Sequence, residues 1–445
     1  MSDTRPPSPD PAEVGNPSLT RRRLLTTGAG GLAAVAYGAT ASGASARRFS
    51  TAAWKSVAAG SVTLASYEEN AGIPALAADT KLFTAKTGIQ VKTDTFAHGP
   101  FQNTINSYLQ GHPDDVFTWF AGYRMQFFAA KGLATPIDDV WKVLTPQMAP
   151  AFKAAATGLD GHQYIVPNKN YPWAVHFRKS LWKEKGYKVP TTWDQFIALA
   201  KKMQADGLTP IAFTDKDGWP PMGTFDILNM RMNGYAYHVS LMAGKQSWDS
   251  PQVKAVFKKW TELLPFYSQG ALGLTWQDGA AQLENKQAGM FFLGSFLTGA
   301  MKPANAKDVD LFPFPMVNPK WGQDSIDAPI DGYMISRKPK NLDGAKKLVE
   351  FLGTAPAIDA YLKINSGNLG ANKHTNTAAY SALQKKGAKL IASTKHIAQY
   401  MDRDTRPDFA TTVMIPSLQS FLNNPGDING LVKSIQKQKK AIFGS

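Results

Sequence analysis

The sequence predicts an α/β protein that contains more than one sheet, and two observations support this. Between residues 61 and 131, short alternating or apolar segments are followed in turn by helical segments, an order typical of a parallel sheet covered by helices. The same alternation returns after residue 288. No segment repeats at a fixed period, so solenoids and propellers are not expected.

Strands and helices are predicted in order along the chain. Period-two alternation or a short apolar run predicts strands over 61–67, 89–96, 115–120, 164–167, 174–177, 210–214, 288–293, 310–314 and 331–336. Helical periodicity predicts helices over 75–87, 101–110, 121–131, 193–205, 342–352, 415–422 and 428–442. The helix over 193–205 carries the clearest signal, because Thr192 and Gln195 have the spacing of a capping box.

Composition excludes several classes of site. The 445 residues include no cysteine, which excludes disulfides, thiolate zinc sites, iron–sulfur clusters, a thiol nucleophile and a lipid-modified N-terminal cysteine. The chain has 49 Lys+Arg against 34 Asp+Glu, a net charge of +15. Basic residues cluster only at 385–389 and 433–440, without the interleaved aromatic residues of a nucleic-acid site. We therefore expect no nucleic-acid partner.

The first 46 residues are typical of an export signal. Residues 21–23 are arginines, a mildly apolar stretch rich in Gly and Ala follows, and small residues at 44–46 precede Arg47. The twin arginine predicts a Tat signal peptide over 1–46, and hence a location that is periplasmic, extracellular or associated with the cell envelope. The alternative is a short membrane anchor or an unstructured tail, but the apolar run is too short to span a bilayer convincingly.

No catalytic signature is present in the sequence. Gly244-Lys245 lacks the upstream glycine of a phosphate-binding loop, and no G-x-S-x-G motif occurs. The seven histidines are isolated from one another, so none forms an i, i+4 metal pair. The adjacent carboxylates 68–69 and 114–115 point to opposite faces of a strand and cannot form a glycosidase pair. We expect no enzyme activity, catalytic residue, metal or cofactor.

Five segments carry a resemblance to a known family. In chain order they are TGIQVKTDTF, HPDDVFTWFAGYRMQFFAAKGLATPIDD, VPNKNYPWAVHFRKSLWKEKGYKVPTTWDQFIALAKKMQADGLTPIAF, ENKQAGMFFLGSF and DAPIDGYMISRKPKNLDGAKKLVEFLGT. Each motif is loose, but their order over residues 60–445 resembles the extracellular solute-binding proteins of ABC importers. The similarity is to the carbohydrate-binding group of that family, which includes the maltose-binding-like proteins.

The resemblance implies a two-lobed fold of the periplasmic-binding-protein kind (type II). Two α/β lobes are joined by crossing segments, and the ligand lies in the cleft between them. The first lobe is expected over 47–170 plus 327–370 and the second over 171–326 plus 371–445. The implied protein is a monomer that closes on a carbohydrate by hinge motion and delivers it unchanged to an ABC permease.

Sugars present apolar C–H faces and hydroxyl groups, so aromatic, carboxylate and amide side chains are suited to bind them. The positions that match the family give the expected ligand-binding residues: Tyr67, Glu68, Asn70, Trp119, Tyr123, Asn170, Tyr171, Trp173, Trp219, Phe296, Asp331, Tyr333, Asn368 and Asn372.

Three other functions are compatible with the same sequence. A secreted glycoside hydrolase would use similar aromatic residues together with a pair of carboxyl groups. The same fold could instead receive a peptide, a metal complex or a polyamine, and Glu68, Glu69 and Asp331 could supply acidic groups for a polyamine. An envelope protein that binds anionic polymers through its charge is the third alternative, and its binding would weaken with salt.

Overall fold

The computed structural model describes residues 60–444, so the predicted signal peptide over 1–46 lies outside the described residues. The strands are β1 (Ser61–Ser66), β2 (Gln90–Thr95), β3 (Val116–Phe120), β4 (Ile165–Asn170), β5 (Trp173–Arg178), β6 (Thr209–Ala212), β7 (Ala288–Gly294), β8 (Val309–Phe312), β9 (Ser325–Asp327), β10 (Ile330–Ile335), β11 (Leu369–Gly370) and β12 (His396–Ala398).

The helices, in chain order, are α1 (Gly72–Thr87), α2 (His98–Gln110), α3 (Tyr123–Ala130), α4 (Asp138–Leu144), α5 (Pro150–Ala155), α6 (Lys179–Lys185), α7 (Trp193–Ala205), α8 (Pro220–Asn233), α9 (Tyr235–Met242), α10 (Pro251–Thr261), α11 (Trp276–Glu284), α12 (Pro303–Ala306), α13 (Leu342–Leu352), α14 (Ala355–Ile364), α15 (Ala382–Ser393), α16 (Met401–Asp404), α17 (Pro407–Phe409), α18 (Ile415–Asn423) and α19 (Ile428–Phe443). Every predicted strand and helix is present, with its ends within three residues of the prediction.

Two large sheets organise the described part of the molecule, and β9 and β12 form a separate two-stranded parallel sheet. The larger has the order β11-β4-β10-β3-β1-β2, and the smaller has the order β6-β7-β5-β8. We call the parts built on them the first and the second lobe. Strands β2, β1 and β3 are parallel, as predicted. The prediction of a parallel sheet is incomplete, because β10 returns from a distant part of the chain and runs antiparallel between β3 and β4.

The chain crosses between the sheets by a very short connection. Strand β4 ends at Asn170 in the first sheet and β5 begins at Trp173 in the second, so only Tyr171 and Pro172 join the lobes at this point. Each sheet is packed within its own apolar core, and a smaller third core lies around Tyr361. The fold is therefore two-lobed and mixed α/β, while the lobe boundaries given above stay a prediction.

Helix α8 was not predicted, and its environment explains why. All of its residues from Pro220 to Arg231 are buried, so its sequence carries no apolar stripe that alternates with polar residues.

Two further observations concern the part of the chain that the structure describes. No helix there is long and apolar enough to cross a membrane, and no group of three His, Asp or Glu side chains could hold a metal ion.

Candidate functional site

A cavity lies between the two lobes, at the carboxyl ends of β1 and β3. Strand register sets Asp331 opposite Phe120, so the first residues of antiparallel β10 reach the same edge of the sheet. The centre of a water molecule can occupy about 100 Å³ of the cavity. Its lining residues are Tyr67, Glu68, Glu69, His98, Gln102, Lys169, Tyr171, Trp173, Trp219, Trp276, Phe296, Gly299, Pro329, Asp331, Asn365, Asn368, Tyr400, Asp402 and Arg403.

The structure brings together eight of the predicted site residues in this lining. They are Tyr67, Glu68, Tyr171, Trp173, Trp219, Phe296, Asp331 and Asn368. The other six lie outside it: Asn70, Trp119, Tyr123, Asn170, Tyr333 and Asn372.

Three of these six have structural partners behind the cavity wall. Trp119 is fully buried, and its carbonyl accepts a hydrogen bond from the Tyr67 hydroxyl at 3.2 Å. The Tyr333 hydroxyl accepts one from the Asn168 amide at 3.2 Å. The Asn372 amide donates to the carbonyl of Gly353 at 2.9 Å. These contacts support the wall and engage the Tyr333 hydroxyl and the Asn372 amide, whereas the indole Nε1 of Trp119 is buried without a hydrogen-bond partner among the described residues.

The remaining three differ in exposure. Asn70 is exposed in the turn before α1, with a left-handed φ of 50°. Tyr123 is half-buried at the start of α3. Asn170 is buried at the end of β4, opposite Ile330 in the sheet. None of the three lines the cavity in the structure.

Aromatic rings form one side of the cavity. Trp173 stacks on Tyr400 with ring centroids 4.6 Å apart, and it meets Trp219 edge-on at 6.2 Å. Phe296 lies 6.2 Å from Trp219 and 5.2 Å from Trp276. Trp219 is fixed by the chain that follows it, because Pro220 and Pro221 start α8 and proline is preorganised for the first helical turn. The rings provide a rigid apolar surface.

Charged side chains form the other side, and two buried ion pairs lie there. The Arg403 guanidinium donates to the Asp331 carboxylate at 2.8 Å and to the Tyr171 hydroxyl at 3.0 Å. Arg124 donates to Asp402 at 2.6 Å. All four charged groups are buried, where an unpaired charge would be strongly unfavourable.

A second buried network reaches the cavity from the opposite direction. Lys169, on the crossing strand β4, pairs with the Glu68 carboxylate and donates to the Tyr361 hydroxyl at 2.7 Å. That hydroxyl donates in turn to Glu68 at 2.8 Å and accepts from the Asn365 amide at 3.1 Å. His98 completes the lining as a neutral group, since burial, assisted by the charges of Arg403, Arg124 and Lys169, lowers its pKa to about 3.

Several polar atoms that line the cavity have no hydrogen-bond partner among the described residues. They are both amide atoms of Asn368, the amide oxygen of Asn365, and Oδ1 of Asp402 and Nε of Arg403, which face each other at 3.8 Å. Buried polar atoms are almost always hydrogen-bonded. These atoms therefore mark where the polar groups of a ligand are needed, and their mixture of donors and acceptors suits hydroxyl groups.

Ten lining residues were not predicted. They are His98, Gln102, Lys169, Trp276, Gly299, Pro329, Asn365, Tyr400, Asp402 and Arg403. Glu69, which also lines the cavity, was named from the sequence only as an acidic group for the polyamine alternative. A sequence signal existed for Trp276, which follows Thr275 at the start of a capping box completed by Asp278. The segment 400–403 carries no such signal, because its residues reach the cavity only through long-range packing.

Known proteins share features of this sequence and of this geometry. The sequence profile of the bacterial extracellular solute-binding proteins matches residues 65–358. The chain belongs to this family. Among relatives of this solute-binding protein, an uncharacterised ABC transporter extracellular-binding protein of Pyrococcus horikoshii is 26% identical over 335 residues, 74% of this chain and 72% of the relative. The multiple sugar-binding protein of Streptococcus mutans is 27% identical over 242 residues, 52% of this chain and 57% of the relative.

Solved structures agree with the two-lobed fold. The bacterial solute receptor AcbH superimposes with a TM-score of 0.85 and is 47% identical, covering 87% of this chain and 100% of that one. The report of that structure describes an exclusive preference for β-D-galactopyranose. A maltose-bound MalE3 of T. maritima shares the fold at 17% identity and a TM-score of 0.74, covering 86% of this chain and 100% of that one.

Proposed function

We propose that this solute-binding protein captures one sugar ring in the interlobe cavity, and that the sugar is β-galactopyranose. The size of the cavity carries the proposal. The centres of water molecules can occupy about 100 Å³ of it, and one water needs roughly 10–15 Å³ of volume measured in this way. That room suits one pyranose with its hydroxyl groups and is too small for an oligosaccharide. The 47% identity to a galactopyranose receptor supports the choice of sugar.

The lining supports a neutral sugar over a polyamine. Arg403, Lys169 and Arg124 neutralise Asp331, Glu68 and Asp402, which leaves Glu69 as the one lining carboxylate without a basic partner among the described residues. A single carboxylate does not match the several ammonium groups of a polyamine. The rings of Trp173 and Trp219 would cover the C–H face of the sugar, and the unpartnered atoms around Asn368 would receive its hydroxyl groups. The lining residues named above are the proposed binding residues.

Hinge closure would complete the site, and two contacts between the lobes mark the closed state. The Gln277 amide of α11 donates to the Glu69 carboxylate beyond β1 at 3.0 Å, and the Ala71 amide donates to the Gly299 carbonyl at 3.3 Å. The protein acts as a monomer exported by the Tat pathway through residues 1–46, presents the closed complex to an ABC permease, and releases the sugar without chemical change. Lobe boundaries of 47–170 plus 327–370 and 171–326 plus 371–445 belong to the same proposal.

A titration of the full chain tests this function. Galactose should produce a saturable change in tryptophan fluorescence with micromolar or tighter affinity, because Trp173, Trp219 and Trp276 line the cavity. Glucose, maltose, a dipeptide and spermidine serve as competitors, and the maltose, which has a glycosidic bond to cleave, should be recovered intact by chromatography. Saturable binding of spermidine instead, or recovery of a cleaved glycoside, would contradict the proposal.

A further inference from the structure

The segment 399–404, which we call the Tyr400 segment, brings three lining residues to the cavity. Tyr400 stacks on Trp173, Asp402 pairs with Arg124, and Arg403 pairs with Asp331. Its backbone is in an unusual conformation, since Tyr400 has φ 128° and ψ 146°. Residues with a side chain rarely adopt positive φ, and such conformations persist only when surrounding contacts hold them.

Two buried carboxyl groups hold the backbone on either side of Tyr400. Oδ2 of Asp226, on α8, accepts a hydrogen bond from the Met401 amide at 2.6 Å. Oδ2 of Asp404, at the other end of the segment, accepts one from the Gln399 amide at 2.8 Å. Backbone amides on both sides of the strained residue are therefore satisfied by side chains and not by a sheet or a helix.

Helix α8 also holds the side chain of Tyr400. The Tyr400 hydroxyl accepts from the Gly223 amide at 3.0 Å and donates to the Trp219 carbonyl at 2.7 Å. A Cβ added at Gly223 would approach both the Trp173 and the Tyr400 rings within about 3 Å, so the two rings pack directly against the helix backbone. The Pro220 carbonyl lies 3.3 Å from the Tyr400 hydroxyl. Main-chain groups of Trp219 and the first turn of α8 thus hold the Tyr400 side chain, and Asp226 adds a side-chain contact to the neighbouring Met401 amide.

These carboxyl groups belong to a buried cluster whose surroundings are mainly acidic. Burial raises the pKa of Asp226 and of Asp327, and raises that of Asp404 to about 6. His238 on α9 lies 3.8 Å from Asp226, and burial lowers its pKa to about 3. The other titratable or charged groups facing the cluster are Arg231 on α8, Tyr235 on α9, and Asp402 and Arg403 within the segment.

We propose that Asp226 and Asp404 are positioning residues of the sugar site, which hold the Tyr400 segment so that Tyr400, Asp402 and Arg403 face the ligand. The assignment rests on the proposed function and extends it to residues that do not touch the cavity. What the segment requires from each side chain is an acceptor for one backbone amide. An asparagine at either position keeps such an acceptor, whereas an alanine removes it.

Galactose titrations of the full chain compare Asp226→Ala and Asp404→Ala with Asp226→Asn and Asp404→Asn. Each alanine variant should lose about tenfold in affinity, the effect expected for one buried hydrogen bond, and each asparagine variant should stay within about threefold of wild type. Asp115→Ala is the control. Asp115 is a buried carboxylate that accepts from the backbone amides of Thr63, Lys340 and Asn341. It precedes β3 at the end of the strand opposite the cavity, so this variant should lower Tm and keep wild-type affinity.

Hydrogen exchange without sugar gives a second readout and separates this inference from the proposed function. The amides of 399–404 should exchange faster in the alanine variants than in wild type, with protection restored in the asparagine variants, whether or not galactose proves to be the ligand. Unchanged exchange in both alanine variants would overturn the inference. So would wild-type affinity in both, or an equal loss in the asparagine variants or in Asp115→Ala. If one alanine variant fails to fold, the other carries the comparison.

Discussion

Asn368 and Asn372 form a natural pair for comparison at the scale of single residues. Both are buried asparagines in the same loop region and both were predicted to bind ligand. The amide atoms of Asn368 line the cavity without a partner among the described residues, whereas the Asn372 amide donates to Gly353 and to Gln147. Substitution of Asn368 should therefore weaken ligand binding without lowering Tm, whereas substitution of Asn372 should lower Tm without weakening binding.

Asn368→Ala should weaken galactose binding by about tenfold, since one or two neutral hydrogen bonds contribute roughly 0.5–1.5 kcal/mol each. In the absence of sugar it should leave Tm unchanged or raise it, because it removes a buried group without partners. Asn372→Ala should lower Tm and leave affinity unchanged. Calorimetric titration and thermal denaturation measure both effects. Loss of affinity in Asn372→Ala with no effect in Asn368→Ala would reverse the assignment.

Trp219 contributes apolar area at the cavity, and its replacement tests the aromatic wall. Trp219→Ala should weaken galactose binding by about 2 kcal/mol or more, as is typical of a buried aromatic anchor. Trp321→Ala is the control, because Trp321 is half-buried over Gly234 and lies outside the cavity lining. Competition binding with both variants measures the difference. Equal affinities in the two variants would show that the wall does not contact the sugar.

At the scale of elements, the sequence predicted the helices and strands whose signals lie within their own residues. Helix α7 was predicted with its true ends because its capping box and apolar stripe are both encoded within it. Helix α8 was missed because it is buried all round. The eight predicted lining residues came from family positions, and single-residue patterns could not have selected them. The Tyr400 segment was missed because a strained turn held by distant Asp226 has no local signature.

Two of the three capping boxes among the described residues offer a test of how a helix positions the site. Thr192 caps α7, which lies outside the lining, and Thr275 caps α11, which carries Trp276 and Gln277. Thr192→Ala and Thr275→Ala should each lower the free energy of unfolding by about 1 kcal/mol. Only Thr275→Ala should also weaken galactose binding, because it loosens the turn that presents Trp276 to the cavity and Gln277 to Glu69. Parallel changes in affinity for the two variants would argue against this coupling.

The whole molecule carries two opposing sets of buried titratable groups. Burial raises the pKa of Asp79 and of Asp215 to about 8. Burial lowers the pKa of His98 and His238 to about 3 and that of His176 to about 4. Compared with the unfolded chain, the native state thus keeps the two acids protonated up to a higher pH. It keeps the three histidines neutral down to a lower pH.

The pH dependence of stability follows from these signs. The unfolded histidines titrate near pH 6.5, so their contribution becomes complete above that pH and is lost as pH falls. The raised acids contribute stability at low pH that is lost as pH rises towards 8, by up to about 1.4 kcal/mol per pH unit for each group. From pH 6.5 to about 7.5 the remaining titration of the unfolded histidines partly offsets the slope from the acids, which is the larger of the two, so Tm should fall over the range to pH 8.

Thermal denaturation from pH 6.5 to 8 measures this slope in the sugar-free protein. Asp79→Asn and Asp215→Asn should each flatten it, because an asparagine carries no titratable proton at these positions. Asp310→Asn should keep the wild-type slope, since Asp310 is paired with Lys386 at the surface at 2.8 Å. A Tm that is constant or rises over this range would show that Asp79 and Asp215 are ionised in the native state. In that case a variant with both Asp79→Asn and Asp215→Asn should show the same dependence of Tm on pH as wild type. If the two groups are protonated in the native state, the same variant should show a weaker dependence than wild type.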